Sequence, residues 1–186
     1  MTDAGPIYTI GHSTRTLEDF IALLRRESIR HLVDVRRFPA SRRYPHFNSV
    51  PLAASLAVVG VSYEHAADLG GRRTADAGSR NVGWRNASFR GYADYTASPE
   101  FRGALERLIR TAERAPTVVM CAEAVPWRCH RTLIADALLA RGWNVRHILD
   151  ASTSDHVLTS FGIIRDGRVE YPGEQGEDLF SSARAE

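Results

Sequence analysis

Both cysteines of this 186-residue chain lie in one short stretch, together with other residue types that serve in nucleophilic catalysis. Cys121 follows an apolar run at residues 117–120, and Cys129 is followed directly by His130. The run predicts a buried strand, and the residues from Cys129 onward predict the first turn of a helix. The unpaired N–H groups and the dipole of a helix start attract anions and lower the pKa of a thiol. The stretch therefore predicts a reactive site.

The side chains around the two thiols indicate how such a site would react. The predicted catalytic residues are Cys121, Cys129, His130, Glu123 and His12. One cysteine would be the thiolate nucleophile, and an imidazole or the carboxylate would transfer a proton. Two nearby arginines, Arg128 and Arg131, would neutralise an oxyanion or a phosphate group.

A metal site is an alternative use of the same residue types. The four candidate ligands for an approximately tetrahedral zinc or iron ion are Cys121, Cys129, His130 and His12. The seven residues between the cysteines match no standard zinc motif, so the sequence itself predicts no metal and leaves the cofactor unknown. A reversible Cys121–Cys129 disulfide is a third alternative, because the separation of the two residues permits closure.

Two earlier strands also end in reactive residue types. Residues 7–10 are apolar and precede His12 and Ser13, while residues 31–35 include Asp34 and are followed by Arg36. A helix with an apolar stripe at residues 17–27 lies between them, and this order predicts a parallel sheet. Open α/β sheets bind ligands in a crevice at the carboxyl edge of their strands. Ser13, Asp34 and Arg36 are therefore predicted to bind an anionic substrate beside Cys121.

The rest of the chain continues the alternation of helices and strands. Caps, stops and periodicity predict three further helices, one from a cap at Asn48 or Ser49 to residue 59 and the others at residues 99–115 and 129–141, and strands at 61–65 and 144–149. An Asp-Gly pair at 166–167 predicts a hairpin at 161–172, expected as an antiparallel addition to the sheet edge. The expected fold is a single α/β domain over 1–186, a three-layer sandwich with a mostly parallel sheet and a C-terminal antiparallel hairpin. Its core is expected at 7–150 and a flexible tail at 173–186.

Two loops at the predicted strand ends combine arginine with aromatic residues. Residues 36–47 and 67–98 together hold nine arginines and seven aromatic residues, a mixture that argues against plain disorder. Arginine binds phosphate and aromatic rings stack on bases, so the mixture indicates a phosphorylated ligand such as a nucleotide or a nucleic acid. Arg72 and Tyr92 are the predicted contacts in the second loop. Residues 67–98 are expected to form a long irregular lid or binding loop.

The charge composition is consistent with an anionic ligand. All 24 basic residues are arginine and the net charge is +2, although a GC-rich genome produces the same bias. The expected partner is an anionic small molecule or a nucleic acid. A non-catalytic nucleic-acid-binding module is the alternative to an enzyme. No apolar run is long enough to span a membrane, and the first residues lack the features of a secretion signal, so we expect a cytoplasmic protein with reduced cysteines.

Several short motifs follow one another along the chain. They are IGHS at residues 10–13, VDVR at 33–36, FPAS at 38–41, LGGR at 69–72, FRGYADY at 89–95, MCAE at 120–123 and CHR at 129–131. Together they resemble the DUF488 family of bacterial and archaeal proteins, over about residues 7–150. The resemblance implies an α/β fold and points to the same cysteine stretch and the same Gly-His-Ser turn. It implies no activity.

The order of elements around the cysteines is also similar to that of rhodanese-type sulfurtransferases. Those enzymes close a shorter loop of main-chain amides around a cysteine, whereas six residues, including Pro126, separate Cys121 from Arg128 in this chain. The loop would therefore have a different shape, and the sulfurtransferase activity is not carried over.

Overall fold

Strands and helices alternate along most of the chain, as the pattern of apolar residues predicts. The computed structural model describes residues 5–150 and 152–173. The strands are β1 (Ile7–Gly11), β2 (His31–Asp34), β3 (Ser62–His65), β4 (Thr117–Cys121), β5 (Val145–Ile148), β6 (Thr153–Asp155), β7 (Ile163–Arg165) and β8 (Arg168–Glu170). The α-helices are α1 (Leu17–Arg26), α2 (Ser49–Val58), α3 (Ala87–Tyr95), α4 (Pro99–Ala112) and α5 (Arg131–Ala140).

A six-stranded sheet in the order β3-β2-β4-β1-β5-β6 forms the middle layer. The first five strands in this order pair in parallel, and β6 pairs antiparallel to β5 at one edge. Gly11 lies opposite Cys121, and Asp34 lies opposite Met120, so β1, β2 and β4 end at the same level. The residues that follow these three strands are thereby brought together at one edge.

Helices cover both faces of this sheet and confirm the predicted three-layer sandwich. Phe20 of α1 and Leu52 of α2 are buried in one apolar cluster, while Leu108 of α4 and Leu133 of α5 belong to the other. Neighbouring strand residues face opposite layers, because side chains alternate along a strand. Burying each large apolar side chain of this kind contributes about 1.5–3 kcal/mol. No helix within the described ranges combines the length and apolar character needed to cross a membrane.

The C-terminal hairpin forms, but its position differs from the prediction. Strands β7 and β8 make a separate two-stranded sheet, and β6 takes the edge of the main sheet instead. Asp166 and Gly167 both have positive φ, as a tight Asp-Gly hairpin turn requires. The Tyr171 hydroxyl donates to the Asp136 carboxylate on α5, which fixes the hairpin to that helix. Strand β6 is short and polar and therefore gives no apolar signal.

The expectation that residues 67–98 are irregular throughout is wrong, because α3 lies within them. Asn86 caps this helix by accepting from the backbone N–H groups of Ser88 and Phe89. Gly91 weakens the helical signal of the sequence, but it is needed there: a Cβ at this position would lie 2.5 Å from the Arg73 carbonyl oxygen. The tail expected at 173–186 lies outside the described residues from 174 onward.

Candidate functional site

A crevice with a volume of about 620 Å³ opens at the carboxyl ends of β1, β2 and β4. Its walls are residues 12–14 after β1, side chains of residues 36–44 after β2 and residues 121–124 after β4. Gly71, Arg72 and His130 complete the lining. The size falls within the range of small-molecule sites in proteins. The crevice lies where the strand-end argument predicts it.

Cys121, Cys129 and His130 form a compact group on one wall of the crevice, which we call the thiol–imidazole cluster. Their sulfur and ring-nitrogen atoms all lie within 4.8 Å of one another. The Cys129 sulfur is 3.6 Å from Nδ1 of His130. Nε2 of His130 is 3.1 Å from the Val35 carbonyl oxygen and must carry the proton, because a carbonyl only accepts. Nδ1 faces Cys129: in a neutral ring it accepts from the thiol, and in a protonated ring it donates to the thiolate.

The two thiols do not titrate independently. The hydrogen bond between them lowers the pKa of Cys129 well below its ordinary value, and the contact with His130 lowers it further. The same hydrogen bond raises the pKa of Cys121, and burial adds to this increase. Cys121 is 7% exposed and lines the crevice, whereas Cys129 is 4% exposed and lies behind it. Cys129 is therefore the more acidic of the two thiols.

Arg131 supports the cluster from behind. Its guanidinium donates to the Glu123 and Ala124 carbonyl oxygens and so holds the loop between the cysteines. The side chain is 1% exposed, its Nε has no hydrogen-bond partner, and no carboxylate pairs with it among the described residues. Its positive charge lowers the pKa of both thiols. Arg128, the other arginine predicted to bind an anion, is exposed and lies outside the crevice lining.

Two glycines allow the loop and the imidazole to approach the strands. A Cβ on Gly11 would lie 1.7 Å from the Glu123 carbonyl oxygen, so only glycine lets the loop pass this close to β1. A Cβ on Gly71 would lie 2.9 Å from Nδ1 of His130. The glycines of the GHS and LGGR motifs thus have a direct packing role at the cluster.

His12, Asp34 and Arg36 form a buried ion-pair group at the floor of the crevice. Arg36 donates to both Asp34 oxygens, at distances of 2.5–3.1 Å, and also to the Phe47 carbonyl. His12 donates from Nδ1 to the Ser13 carbonyl, and its Nε2 accepts from Arg36. Burial, followed by the positive charge of Arg36, lowers the pKa of His12 from 6.5 to about 4. His12 is therefore neutral near pH 7, with both ring nitrogens engaged.

The remaining predicted residues divide between the wall and the core. Ser13, with φ of 49°, donates its backbone N–H to the Ala122 carbonyl and lines the crevice beside the exposed Glu123. Tyr92 lies in the core, where its hydroxyl donates to the Leu69 carbonyl and its ring centre is 5.0 Å from that of His130. Tyr92 therefore supports the imidazole and does not line the crevice.

Three exposed arginines on the crevice lining, Arg37, Arg43 and Arg72, surround its mouth, and we call them the rim arginines. None of the three forms an ion pair within the described residues. Arg37 and Arg72 lie 5.9 and 6.0 Å from the ring centre of Phe38, which is 64% exposed. The mouth thus combines unpaired guanidinium groups with an open aromatic face.

Comparison with protein families gives a match between residues 16–138 and the family described as "Domain of unknown function DUF488". The chain belongs to this family. No curated protein and no solved structure matches. The matched range includes the thiol–imidazole cluster, the ion pair of Asp34 with Arg36, and the rim arginines. The family description names no activity.

Sequence reasoning overlooked part of the DUF488 site. The loop at residues 36–47 contributes four lining residues that the sequence analysis did not name singly: Arg37, Phe38, Arg43 and Tyr44. From this loop it named only Arg36. Whether a side chain of this loop points into the crevice or away from it depends on its direction, which composition does not show. By contrast, the aromatic residues of 67–98 pack against the apolar core.

A second buried polar group lies on the α5 side of the sheet, and we call it the closed network. Thr9 and His147 are 2.7 Å apart, His147 and His156 are 3.0 Å apart, and His156 is 2.9 Å from the Asp136 carboxylate. Asp136 also accepts from the Tyr171 hydroxyl at 2.8 Å. The sequence analysis singled out none of these residues, because they are far apart along the chain.

Proposed function

We propose that this DUF488 protein is an enzyme that binds a phosphorylated or otherwise anionic substrate in the crevice and transforms it at the thiol–imidazole cluster. The observation that carries the proposal is the meeting of this cluster with three unpaired rim arginines in one crevice. Reactive groups and anion-binding groups are thus within reach of one small ligand.

The charge of the crevice lining supports the anionic substrate. Arg36 is neutralised by Asp34, which leaves the three rim arginines against one carboxylate, Glu123. Guanidinium groups bind phosphate through paired N–H donors, and a surplus of positive charge in a concave site attracts anions over several ångströms. An unpaired guanidinium at a crevice mouth is available to a ligand, whereas one held by a carboxylate is not.

The aromatic residues at the mouth favour a nucleotide or a nucleic-acid end within that class. Phe38 offers an exposed ring next to Arg37 and Arg72, and Tyr44 lies beside Arg43 with 5.4 Å between ring centre and guanidinium carbon. A base can stack on such rings while the guanidinium groups hold its phosphate. A small inorganic anion would contact the guanidinium groups and leave the rings uncovered.

Thiol-dependent transfer or hydrolysis is the chemistry that the cluster supports. Cys121 is the sulfur that a bound substrate would meet, since it lines the crevice. His130 has the tautomer needed to accept a proton through Nδ1, because its Nε2 is committed to Val35. The cluster could act through a thiolate or through thiolate ligands on a metal, and both place the reaction at the same atoms.

Calorimetric titration with inorganic phosphate, AMP and ATP at low and high salt tests the proposal. We expect binding that weakens with salt, and a loss of at least about 100-fold in the triple variant Arg37→Gln, Arg43→Gln, Arg72→Gln, since each charge-assisted contact contributes about 1.5–3 kcal/mol. The matched control changes Arg25, Arg110 and Arg114, which are exposed and away from the crevice, to Gln. Equal losses in both triple variants, or no binding by the wild-type protein at low salt, would refute the proposal.

A non-catalytic nucleic-acid-binding module is the second candidate, favoured by further exposed arginines in the two loops. Arg42, Arg80 and Arg85 are exposed and lie outside the crevice lining. This candidate predicts salt-sensitive binding of single-stranded DNA or RNA that survives the double variant Cys121→Ser, Cys129→Ser. A gel-shift series with wild-type and double-variant protein decides: absence of binding by the wild-type protein at low salt removes the candidate.

A further inference from the structure

The donor atoms of the thiol–imidazole cluster are arranged as in a transition-metal site. Two sulfurs and one ring nitrogen converge within 4.8 Å, although the sequence spacing matches no standard motif. A zinc ion with Zn–S of about 2.3 Å and Zn–N of about 2.0 Å places two tetrahedral ligands about 3.5 Å apart. The Cys129 sulfur and Nδ1 of His130 are 3.6 Å apart. This part of the cluster therefore needs little movement to bind a metal.

The surroundings of His130 are those of a metal-ligating imidazole. Its Nε2–H donates to the Val35 carbonyl, the type of outer hydrogen bond that fixes the tautomer and direction of a ligating ring. Gly71 packs against the Nδ1 edge and Tyr92 against the ring, so the imidazole has little freedom to rotate. The free lone pair of Nδ1 is thus held toward the two sulfurs.

The fourth coordination position would face the crevice. Cys121 and His130 both line the crevice, and Cys129 lies behind them. His12, a candidate fourth ligand from the sequence, is committed through both nitrogens to Ser13 and Arg36. Three protein ligands with one open position are the pattern of a catalytic zinc site rather than a structural one.

Arg131 gives a second, independent indication. It is buried without a carboxylate partner in the described part of the chain, and its Nε lacks an acceptor. Two thiolates, one divalent cation and one anionic fourth ligand sum to a charge of −1, which this guanidinium would balance.

We propose that Cys121, Cys129 and His130 bind one zinc ion with an open coordination position toward the crevice. Zinc follows from the ligands, because thiolate and imidazole donors in a tetrahedral arrangement suit it best. The inference rests on the proposed function in that it names the cofactor of the same site. An anionic substrate held by the rim arginines would then place an oxygen at the open position.

Metal analysis of the full chain, purified without chelators, tests the inference directly. The protein is then stripped with EDTA and titrated with zinc and with cobalt(II), whose spectrum reports coordination. We expect about one equivalent of zinc, and for cobalt a tetrahedral visible spectrum with thiolate charge-transfer bands. Stoichiometric iron without zinc, or an octahedral cobalt spectrum without thiolate bands, would overturn the proposal.

Single variants assign the ligands. Cys129→Ser and His130→Gln should weaken zinc binding by at least about 100-fold, more than the loss of an outer-shell contact does. The matched control is His31→Gln, because His31 begins β2 at the opposite end from the crevice. Circular dichroism of each stripped variant shows whether it folds. Should a variant not fold, the cobalt spectrum of the wild-type protein still decides.

Phosphate titrations of the stripped and zinc-loaded protein separate this inference from the proposed function. Phosphate or nucleotide binding without stoichiometric zinc would remove the metal and leave the anion-binding enzyme. Stoichiometric zinc without any binding of phosphate, AMP or ATP would remove the anion-binding enzyme and leave the metal site. We expect stoichiometric zinc together with phosphate binding, and a higher phosphate affinity in the zinc-loaded protein than in the stripped protein.

Discussion

The thiol–imidazole cluster and the closed network are both buried, both contain histidine, and differ in how completely their polar atoms are used. In the closed network each imidazole nitrogen, the Thr9 hydroxyl and the Asp136 carboxylate have hydrogen-bond partners. In the cluster three electron-pair donors face one another and one side opens to a crevice. Unused bonding capacity beside an opening, rather than residue type, therefore distinguishes a candidate site from a structural group.

Two consecutive arginines repeat this contrast. Arg36 is buried and held by Asp34, His12 and the Phe47 carbonyl, whereas Arg37 is exposed and has no carboxylate partner among residues 5–150 and 152–173. The first stabilises the crevice floor and the second is available to a ligand. We therefore expect changes at buried, paired residues to lower stability, and changes at exposed, unpaired residues to lower ligand binding.

The largest effect on stability is expected for Arg36→Gln. Removing this guanidinium leaves Asp34 fully buried without its counter-charge, at a cost of about 3–5 kcal/mol in the free energy of unfolding. Arg37→Gln is the matched control and should change stability by less than about 0.5 kcal/mol while weakening phosphate binding. Urea unfolding and calorimetry measure both. Similar stability losses in the two variants would contradict the assignment of a structural role to Arg36 and a ligand-binding role to Arg37.

A smaller loss is expected when the closed network is broken at its centre. Asp136→Asn keeps the side-chain volume but replaces one carboxylate oxygen, which accepts from His156 or Tyr171, with an amide N–H donor. The expected cost is about 2–3 kcal/mol in the free energy of unfolding. Asp155→Asn, on an exposed carboxylate paired with Arg146, should cost less than about 1 kcal/mol. Phosphate binding should be unchanged in both variants. Reduced phosphate affinity in an Asp136→Asn protein that is fully folded would show that the closed network contributes to the crevice.

The closed network should also make stability depend on pH. Burial, followed by the positive charges of His156 and Arg131, lowers the pKa of His147 from 6.5 to about 4, although Asp136 opposes this shift. The unfolded chain then binds more protons between these values, so the stabilisation is complete above pH 6.5 and is lost as the pH falls toward 4. His147→Asn should be less stable than the wild type at pH 7 by on the order of 2 kcal/mol, and this gap should narrow by pH 4. A gap that stays constant in urea titrations would contradict the assignment.

The smallest change in stability, with a selective effect at the cluster, is expected for Gly71→Ala. The new Cβ would lie 2.9 Å from Nδ1 of His130, which is closer than side-chain atoms pack, so the ring would have to shift. We expect a stability loss of about 1 kcal/mol and weaker zinc binding. Gly78→Ala is the matched control, since a Cβ at Gly78 meets no atom within 4 Å. Unaltered zinc affinity in Gly71→Ala would show that the ring position is not critical.

The sequence predicts the fold well where apolar periodicity is strong. Buried strands such as β1 and β4 and amphipathic helices such as α1 and α4 follow from the spacing of their apolar residues. Helix α3 is missed because Gly91 and three polar residues interrupt its apolar pattern. Strand β6 is missed because a three-residue polar edge strand has no pattern of its own.

For the site, position along a strand predicts which residues meet but not how they are engaged. His12, Asp34 and Cys121 follow or end parallel strands and therefore converge. The sequence does not show whether an arginine at the edge pairs with a carboxylate, as Arg36 does, or has no such partner in the described part of the chain, as is the case for Arg37. The same holds for His147 and His156, whose pairing with Asp136 only the folded chain creates.

The carbonyl that orients His130 belongs to Val35, two residues before Arg37 on the same stretch of backbone. Arg36, the residue between them, is fixed to Asp34 and to the Phe47 carbonyl. One anchored segment of backbone thus sets both the direction of the imidazole and the point from which the Arg37 side chain reaches the crevice.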